Sequence, residues 1–313
     1  MKIGVVGTGA VGGYFGAKLA QAGLDVTFIS RGNTLNILQT QGLKIKSYMG
    51  DFIIRKPKVA HSFNVIADVD IILFCLKSYN TREVAEALKS RISDKTVIIS
   101  MQNGVENEDI LSEILGKERI IGSVVYITAS VPEPGVIKHT SYGKVVLGEL
   151  NGEFTDRIRS IEKLFLDAGI PCGCTKDIKS ELWKKLMLNI PYNGFTALTR
   201  GALSNYNDVI EAQECFLRAL KEVQAVARAE GHNITDEDVE EVLKFTKSEG
   251  FITFKYSTLQ DIEANKPLEI DSMQGAVIRS AEKYNIDVPI NKLIYALLKM
   301  SYKQVNADKK VRV

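Results

Sequence analysis

Short apolar runs alternate with helical segments through the first half of the chain. The runs at 1–6, 70–76 and 96–100 are rich in apolar residues, which is typical of strands buried on both faces of a parallel sheet. The segments that separate these runs have the composition and periodicity of helices. This alternation predicts an α/β fold in which helices cover a mostly parallel sheet.

The expected elements of this half end at glycines, prolines and polar turns. We predict strands at 1–6, 25–29, 70–76, 96–100, 121–130, 135–139, 144–149 and 170–175. We predict helices from the end of the glycine loop to about residue 22, from about 81 to 88, in the segment that ends near Leu115, and from 155 to 167. The segment 43–54 holds two extended pieces around Met49-Gly50-Asp51, which predicts a hairpin. Breakers are expected at Pro132, Pro134 and Gly135.

The first strand leads directly into a glycine-rich turn and then a helix. Gly7, Gly9 and Gly12 form the pattern G-x-G-x-x-G in the strand–turn–helix context that a dinucleotide-binding fold needs. The first glycine permits a tight turn, the second lets a pyrophosphate approach the backbone, and the third lets helix and strand pack closely. The helix N-terminus faces the anion. We therefore predict a cofactor-binding loop that consists of Gly7, Thr8, Gly9, Ala10, Val11 and Gly12. The alternative is a tight turn that binds nothing.

The second half of the chain changes in character at about Asp177. Helices are expected at 177–199, 212–230, 271–284 and 291–300, with a further helix beginning at Thr235. No strand signal of comparable strength occurs after residue 176. We therefore predict an α/β protein with an N-terminal Rossmann-type domain at 1–176 and a C-terminal all-α domain at 177–313.

The end of the second predicted strand indicates which nicotinamide cofactor the loop would bind. In the NAD form of this fold, an acidic residue about 20 residues beyond the glycines binds the ribose 2′-hydroxyl. Here the corresponding corner, 29–33, contains Arg31 and no acidic residue. A guanidinium pairs well with a 2′-phosphate. We therefore predict NADPH/NADP⁺ over NADH, with a simple surface role for Arg31 as the alternative.

Length and composition narrow the class of protein. The 313 residues suffice for about two domains, and 45% apolar and 25% charged residues are ordinary for a globular protein. The net charge of +2 gives no reason to expect a nucleic-acid partner. No apolar run approaches the roughly 18 residues of a membrane span, so we expect no membrane partner either.

The cysteines and the N-terminus suggest where the protein works. Cys172-Gly173-Cys174 has no histidine nearby, and a structural zinc site takes four ligands, so we predict no metal. Free thiols fit a reducing compartment. The first predicted strand begins at the N-terminus and leaves no room for a signal peptide. We therefore expect a cytoplasmic protein.

Hydride transfer to a carbonyl needs a proton donor at the oxygen, and histidine often fills that role. The histidines of this chain lie in a polar connection, at a strand end and after a helix-stopping glycine: His61, His139 and His232. None of these places suits a catalytic acid. We therefore look for the acid among the lysines.

One predicted helix carries a polar stripe that includes a lysine. Lys185, Asn189 and Asn193 are four residues apart and therefore share one side of the helix. Asparagine is a poor residue for a helix interior, so the stripe indicates a function, with a solvated polar face as the alternative. Pro191 lies within this segment and removes a helical hydrogen bond, so we expect the stripe to be least regular at Asn193.

Several motifs together resemble the ketopantoate reductase (2-dehydropantoate 2-reductase) family. They are the glycine loop, Lys77, Gln102-Asn103-Gly104 and Trp183-Lys184-Lys185-Leu186-x-x-Asn189. Ser257-Thr258-Leu259-Gln260-Asp261-Ile262, followed by Glu269-Ile270-Asp271, is similar to a further signature of that family. The resemblance extends from Ile3 to about Tyr284 and implies dependence on NADPH, in agreement with the basic corner.

The resemblance also implies a role for each matching residue of the helical domain. Lys185 would be the general acid that protonates the developing alkoxide, and Glu269 would orient it and the substrate hydroxyl. Asn189 and Asn193 would hydrogen-bond the hydroxyl and carbonyl oxygens of the substrate. Ser257 would bind the substrate carboxylate, with a helix N-cap as the alternative role for this serine.

Two further residues of the family pattern follow predicted strands. Asn103 would lie near the nicotinamide and the substrate, so it is expected to contact both. Lys77 would help to hold the cofactor and the active-site loop. Ordinary surface charges are the alternative for Lys77 and for Glu269.

The leading hypothesis is therefore reduction of ketopantoate to pantoate with NADPH, a step toward pantothenate and coenzyme A. A relative that reduces another branched 2-oxo acid would keep the same polar residues and differ in its apolar pocket wall. A non-catalytic NADP(H) sensor would need the glycine loop and Arg31 but not Lys185, Asn189 and Glu269. A small 2-oxo acid is the expected partner. The oligomeric state stays open, with a homodimer among the alternatives.

Overall fold

The computed structural model describes residues 1–203, 206–248 and 255–311, with side chains as far as Tyr302. The chain forms two compact units. The first contains Met1–Gln102 and Glu106–Ile178. The second contains Asn103–Val105 and the chain from Lys179 onward.

The first unit is built on one sheet. Among the described residues its strands are β1 (Lys2–Val6), β2 (Asp25–Ile29), β3 (Leu43–Ser47), β4 (Phe52–Ile54), β5 (Lys58–Ala60), β6 (Ile71–Phe74), β7 (Val97–Ser100), β8 (Ile120–Glu133), β9 (Val136–Glu149) and β10 (Cys172–Cys174). Its helices are α1 (Ala10–Gln21), α2 (Gly32–Gln41), α3 (Thr81–Lys89), α4 (Asn107–Leu115) and α5 (Asp156–Asp167). The strand order is β4-β3-β9-β8-β7-β6-β1-β2-β5, and β10 pairs with β9.

The central part of the sheet is parallel. β1 pairs in parallel with β2 on one side and with β6 on the other, and β7, β8 and β5 extend this parallel core. The order of strands therefore reverses at β1. In such sheets the carboxyl ends of the strands form a crevice at the point of reversal. The predicted Rossmann-type architecture is confirmed.

Apolar side chains bury both faces of this parallel core. Phe15 of α1 and Phe28 of β2 belong to one buried cluster, and Phe74 of β6 and Leu88 of α3 belong to another. Burial of one such side chain contributes about 1.5–3 kcal/mol. Coverage on both faces explains why the strands are apolar along nearly their whole length.

One expected break in a strand is absent. The segments 135–139 and 144–149, predicted as separate strands, lie in the single strand β9 except for Gly135, which is in the preceding turn, and β9 pairs antiparallel with β8. Tyr142 and Gly143 have φ values of +62° and +113°. They lie where the register shifts, so a β-bulge takes up the polar residues and the strand continues. Pro132 likewise lies inside β8, beside another register shift.

The second unit is helical in the parts of the chain that are described. Its helices are α6 (Ile178–Thr199), α7 (Ile210–Ala229), α8 (Asp236–Phe245), α9 (Ser257–Glu263), α10 (Gln274–Lys283) and α11 (Pro289–Val311). α11 is longer than the predicted helix at 291–300, and α10 begins later than predicted because a turn precedes it. No described helix combines the length and apolar character that crossing a membrane requires.

Local sequence explains where helix α8 begins. Thr235 caps α8, as predicted: its hydroxyl accepts a hydrogen bond from the Asp238 N–H, and Asp238 accepts one from the Thr235 N–H. This reciprocal arrangement is a capping box.

α6 is continuous from Ile178 to Thr199 although Pro191 lies inside it. The polar stripe therefore remains on one helix.

Candidate active site

Two glycines of the predicted cofactor loop are required by the fold of the loop. Gly7 has a φ of +103°, and a Cβ there would lie 2.8 Å from the carbonyl oxygen of Cys75. A Cβ on Gly12 would lie 2.2 Å from the carbonyl oxygen of Gly7. A Cβ on Gly9, in contrast, would meet no described atom within 4 Å. Folding of the loop therefore does not explain why this position is glycine.

The open space at Gly9 fits a phosphate group. α1 begins directly after Gly9, and among the described side chains neither a capping group nor an acidic residue serves its first turn. The first N–H groups of a helix have no acceptors within it, and they favour an anion. Thr8 holds the loop against the sheet, because its hydroxyl donates to the Ile29 carbonyl at 3.0 Å. The backbone of Gly9, Ala10 and Val11 therefore fits a dinucleotide pyrophosphate.

Arg31 lies at the carboxyl end of β2, next to this loop in the parallel sheet. It is the N-cap of α2, and its side chain is exposed. The preceding Ser30 extends the pairing of β2 with β5, since its N–H donates to the Ala60 carbonyl at 2.9 Å. The corner offers a cation and, between 29 and 33, no acidic side chain. These features fit a 2′-phosphate.

Lys77 and Asn103 follow two neighbouring parallel strands, β6 and β7. Lys77 is half-buried and caps a single 3₁₀ turn at Ser78–Asn80. Asn103 is also half-buried and precedes Gly104, whose φ is +107°. Both residues thus lie at the carboxyl edge of the sheet by chain position. By its contacts, Asn103 is counted with the second unit.

The polar stripe of the second unit lies on α6. Lys185 and Asn189 are half-buried, whereas Asn193 is 2% exposed. Pro191 has no N–H to donate, but the helix beyond it is reinforced by side chains. The Asn193 amide donates to the Asn189 carbonyl at 2.9 Å, and the Thr196 hydroxyl donates to the Tyr192 carbonyl at 2.7 Å. The helix assignment runs unbroken through Asn193 despite the proline.

The two adjacent lysines of α6 have different surroundings. Lys184 Nζ lies 3.0 Å from the carboxylate of Asp238 on α8 and 3.8 Å from that of Glu181. Burial alone would raise the pKa of Asp238, but hydrogen bonds from the Thr235 backbone and from Lys184 hold it below its usual value. Lys184 therefore ties α6 to α8. Lys185 lies on a different side of α6 from Lys184, the side that also carries Asn189.

Asn193 joins the stripe to the start of α9. Its Oδ1 accepts a hydrogen bond from the Ser257 hydroxyl at 3.1 Å and another from the Thr258 N–H at 3.0 Å. α9 has no capping bond from its own N-cap residue, Tyr256. Ser257 is the first residue of the helix, so it is not the N-cap. Asn193 thus serves the N-terminus of α9 from another helix, which no local pattern in the sequence signals.

Glu269 lies in the turn between α9 and α10 and is 7% exposed. The Glu269 carbonyl accepts two hydrogen bonds from Ser272, one from its backbone N–H at 3.2 Å and one from its side-chain hydroxyl at 2.9 Å. These bonds fix the backbone that carries the carboxylate. Glu269 belongs to the same unit as Lys185, Asn189 and Ser257.

His139 has a structural environment in the first unit. Its Nε2 lies 3.1 Å from the Tyr142 carbonyl, which only accepts hydrogen bonds, so this nitrogen carries the proton. Nδ1 then accepts from the Ser47 hydroxyl at 2.9 Å. The ring is 1% exposed, and burial lowers its pKa. His139 therefore fastens the bulge of β9 to β3.

The four cysteines are free and half-buried. Burial raises the pKa of Cys172 and of Cys174 to about 12, and it raises the pKa of Cys75 as well. These groups are therefore thiols at neutral pH, not thiolates. In the described parts of the chain no three side chains of histidine, cysteine, aspartate or glutamate are arranged to hold a metal ion.

The fold and the glycine loop define a pyridine-nucleotide-dependent oxidoreductase. Residues 3–152 match the family described as Ketopantoate reductase PanE/ApbA, and residues 177–302 match Ketopantoate reductase PanE/ApbA C terminal. The chain therefore belongs to the ketopantoate reductase family.

Individual relatives agree with this assignment over nearly the full length of the chain. A 2-dehydropantoate 2-reductase of Nostoc sp. is 29% identical over 303 residues, which cover 95% of this chain and 94% of the relative. The crystal structure of a 2-dehydropantoate 2-reductase from Geobacter metallireducens has 32% identity and a TM-score of 0.91, covering 96% of this chain and 100% of that one.

A third relative shows the fold alone. D-mandelate dehydrogenase, solved with NADH and anilino(oxo)acetate, has a TM-score of 0.91 at 22% identity, covering 98% of this chain and 100% of that chain. Closely similar folds thus occur in proteins with different substrate names, so the fold by itself does not select the substrate.

Proposed function

We propose that the protein reduces 2-dehydropantoate to pantoate with NADPH. The observation that carries the proposal is the pair of hydrogen bonds from Ser257 and Thr258 to Asn193. Two segments that the family resemblance assigns to one substrate site, 64 residues apart in sequence, meet through these bonds. Membership of the ketopantoate reductase family supports the same reaction.

Lys185 is the general acid in this proposal. A free lysine has a pKa of about 10.4, so its ammonium can donate a proton to the carbonyl oxygen at neutral pH. Its charge also stabilises the negative oxygen that develops during reduction. The carboxylate of Glu269 would orient the ammonium and favour its charged form. Lys185, and not its neighbour Lys184, shares the side of α6 that carries Asn189.

Amides and one hydroxyl would orient the substrate. Asn189 and Asn193 would hydrogen-bond its hydroxyl and carbonyl oxygens, and Ser257 would bind its carboxylate. Asn103 would lie near the substrate and the nicotinamide. Oδ1 of Asn193 already accepts two hydrogen bonds, and one amide N–H donates to the Asn189 carbonyl, so its remaining capacity is the second amide N–H. Asn193 would therefore act both as a donor to the substrate and as the group that orients Ser257.

The first unit would hold the cofactor. The backbone from Gly7 to Gly12 would bind the pyrophosphate, Arg31 would bind the 2′-phosphate, and Lys77 would help to hold the cofactor and the active-site loop. Asn103, which is counted with the second unit, would lie near the nicotinamide and the substrate. Bound NADPH supplies the hydride for the substrate carbonyl carbon. The protein would act in the cytoplasm, in pantothenate and coenzyme A biosynthesis, on a small 2-oxo acid, without nucleic acid, membrane or metal.

The test is an assay of the purified full-length protein. Initial rates of NADPH oxidation are measured with 2-dehydropantoate and with a panel of branched 2-oxo acids, including one that lacks the 4-hydroxyl group. NADH is tested in parallel. We expect the highest kcat/KM with 2-dehydropantoate and NADPH.

Each alternative has its own signature in this assay. A higher kcat/KM for the acid without the hydroxyl would replace the proposed substrate. NADPH binding without oxidation across the whole panel would indicate a sensor. A preference for NADH would overturn the role of Arg31.

Arg31→Ala tests the same role directly. It should weaken NADPH binding about tenfold or more, because one charged contact is lost, and it should leave NADH binding nearly unchanged.

A further inference from the structure

Gln102 lies at the carboxyl edge of β7, and the proposed reaction assigns it no role. Its side chain is 4% exposed. The Nε2 group donates to the Leu76 carbonyl at 2.9 Å and to the Thr81 hydroxyl at 2.8 Å. The Thr81 hydroxyl in turn donates to Oδ1 of Asn107 at 3.0 Å. All of these residues belong to the first unit.

The two acceptors of Gln102 bracket the loop that carries Lys77. Leu76 precedes this lysine, and Thr81 is the first residue of α3. Between them the chain makes one turn, closed by the Asn80 N–H, which donates to the Lys77 carbonyl at 3.0 Å. The two hydrogen bonds of one side-chain amide therefore hold both ends of the loop. The bond from Thr81 to Asn107 extends the same network to the start of α4.

Burial by itself does not explain a glutamine here. Oε1 of Gln102 is buried, and no described group donates to it. An unpaired buried oxygen costs about 1–3 kcal/mol, which leucine or methionine at this position would avoid. The amide group thus brings a cost that its two donated bonds must offset. This comparison indicates that the amide is there to hold the loop in position.

We propose that Gln102 is a positioning residue for NADPH binding, acting through the backbone of the Lys77 loop. The inference rests on the cofactor role proposed for Lys77. Without the two bonds this restraint on the ends of the loop is lost, and an ammonium on a displaced loop loses its alignment with the cofactor. Arg31 lies at the end of another strand, β2, and does not depend on this network.

A double-mutant cycle on the full chain tests the proposal, with the Kd for NADPH measured by fluorescence titration. Gln102→Met removes the amide at similar volume and should raise the Kd about tenfold, as loss of two hydrogen bonds implies. In a Lys77→Ala background the same change should have almost no further effect. In an Arg31→Ala background it should still raise the Kd about tenfold. Thr81→Val, which removes the hydroxyl acceptor at similar shape, replaces Gln102→Met if that variant does not fold, and should show the same coupling.

The possible failures are distinguishable. If the effects of Gln102→Met and Lys77→Ala multiply, the two residues act independently and the inference is wrong, while the role of Lys77 stands. If Lys77→Ala leaves the Kd unchanged, the proposed cofactor role of Lys77 fails and the inference fails with it. If Gln102→Met acts through a general loss of folding, it would weaken NADPH binding equally in the Lys77→Ala and Arg31→Ala backgrounds. That result would also contradict the proposal.

Discussion

The hydroxyl of Ser257 donates a hydrogen bond of 3.1 Å to Oδ1 of Asn193, although 64 residues separate them. Asn193 lies two residues beyond a proline inside α6, and Ser257 begins α9. The same oxygen accepts from the Thr258 N–H. One amide thus sets the position of a second helix and of the hydroxyl on it.

Replacement of Asn193 by leucine should therefore affect substrate binding through Ser257. Asn193→Leu leaves two donors of α9 without an acceptor, at a cost of about 1–3 kcal/mol for each buried group. We expect a KM for the 2-oxo acid at least tenfold higher, in steady-state kinetics at saturating NADPH. Thr196→Val is a matched control, because Thr196 is also buried on α6 and its hydroxyl, among the described residues, donates to the Tyr192 and Asn193 carbonyls of that helix. An equal rise in KM for both variants would contradict this coupling.

The two neighbouring lysines should separate catalysis from stability. Lys185→Ala should lower kcat about 100- to 10,000-fold, the usual contribution of a general acid, with little change in the Kd for NADPH. Lys184→Ala breaks the 3.0 Å ion pair with Asp238 and should lower the free energy of unfolding by about 1 kcal/mol, with kcat close to wild type. Steady-state kinetics and urea unfolding measure the two effects. Near-normal turnover of Lys185→Ala would exclude this lysine as the acid.

Alanine at Gly9 and at Gly12 should have opposite consequences. A Cβ at Gly9 meets no described atom within 4 Å, so Gly9→Ala should fold with the free energy of unfolding of the wild type to within about 0.5 kcal/mol. It should nevertheless weaken NADPH binding strongly, because the methyl group takes the space of the pyrophosphate. Gly12→Ala places a Cβ 2.2 Å from a backbone oxygen and should destabilise the protein by about 1–3 kcal/mol or more. Unaltered NADPH affinity in Gly9→Ala would show that the phosphate does not bind there.

His139 should make the stability of the first unit depend on pH. Burial lowers its pKa in the folded protein, with a further lowering by Lys18 and opposition from hydrogen bonds at Tyr142 and Ser141. The unfolded chain, with a histidine pKa of about 6.5, therefore takes up a proton at higher pH than the folded protein. The stabilisation is complete above about pH 6.5 and is lost as the pH falls through the folded pKa. Urea unfolding between pH 8 and 5 measures it.

His139→Gln provides the comparison, since glutamine keeps hydrogen-bonding groups but does not titrate in this range. The difference in unfolding free energy between wild type and variant should decrease as the pH is lowered. A difference that stays constant with pH would mean that the protonation of His139 is not linked to folding. Carboxylates that titrate at acid pH act on both proteins and cancel in the difference.

Most strand and helix positions in the first unit were predictable because each depends on a local pattern, but α2 and β5 were not predicted. β1 and β6 are apolar runs, and α1 ends at Gln21, two residues before Gly23, whose φ of +88° suits the chain that leaves a helix. β9 was not predicted as one strand, because its polar middle resembles a turn. Only pairing with β8 makes a bulge at Tyr142 more favourable than a break.

The sequence by itself determined the glycine loop, the basic corner at Arg31, the stripe on α6 and the motifs of the family. Each depends on residue types at short spacing, which steric and helical geometry translate directly into structure. Only the tertiary structure decided that Lys184 pairs with Asp238, that Asn193 holds Ser257, and that Gln102 holds the Lys77 loop. These are hydrogen bonds and ion pairs between segments distant in the chain, and their partners are selected by packing.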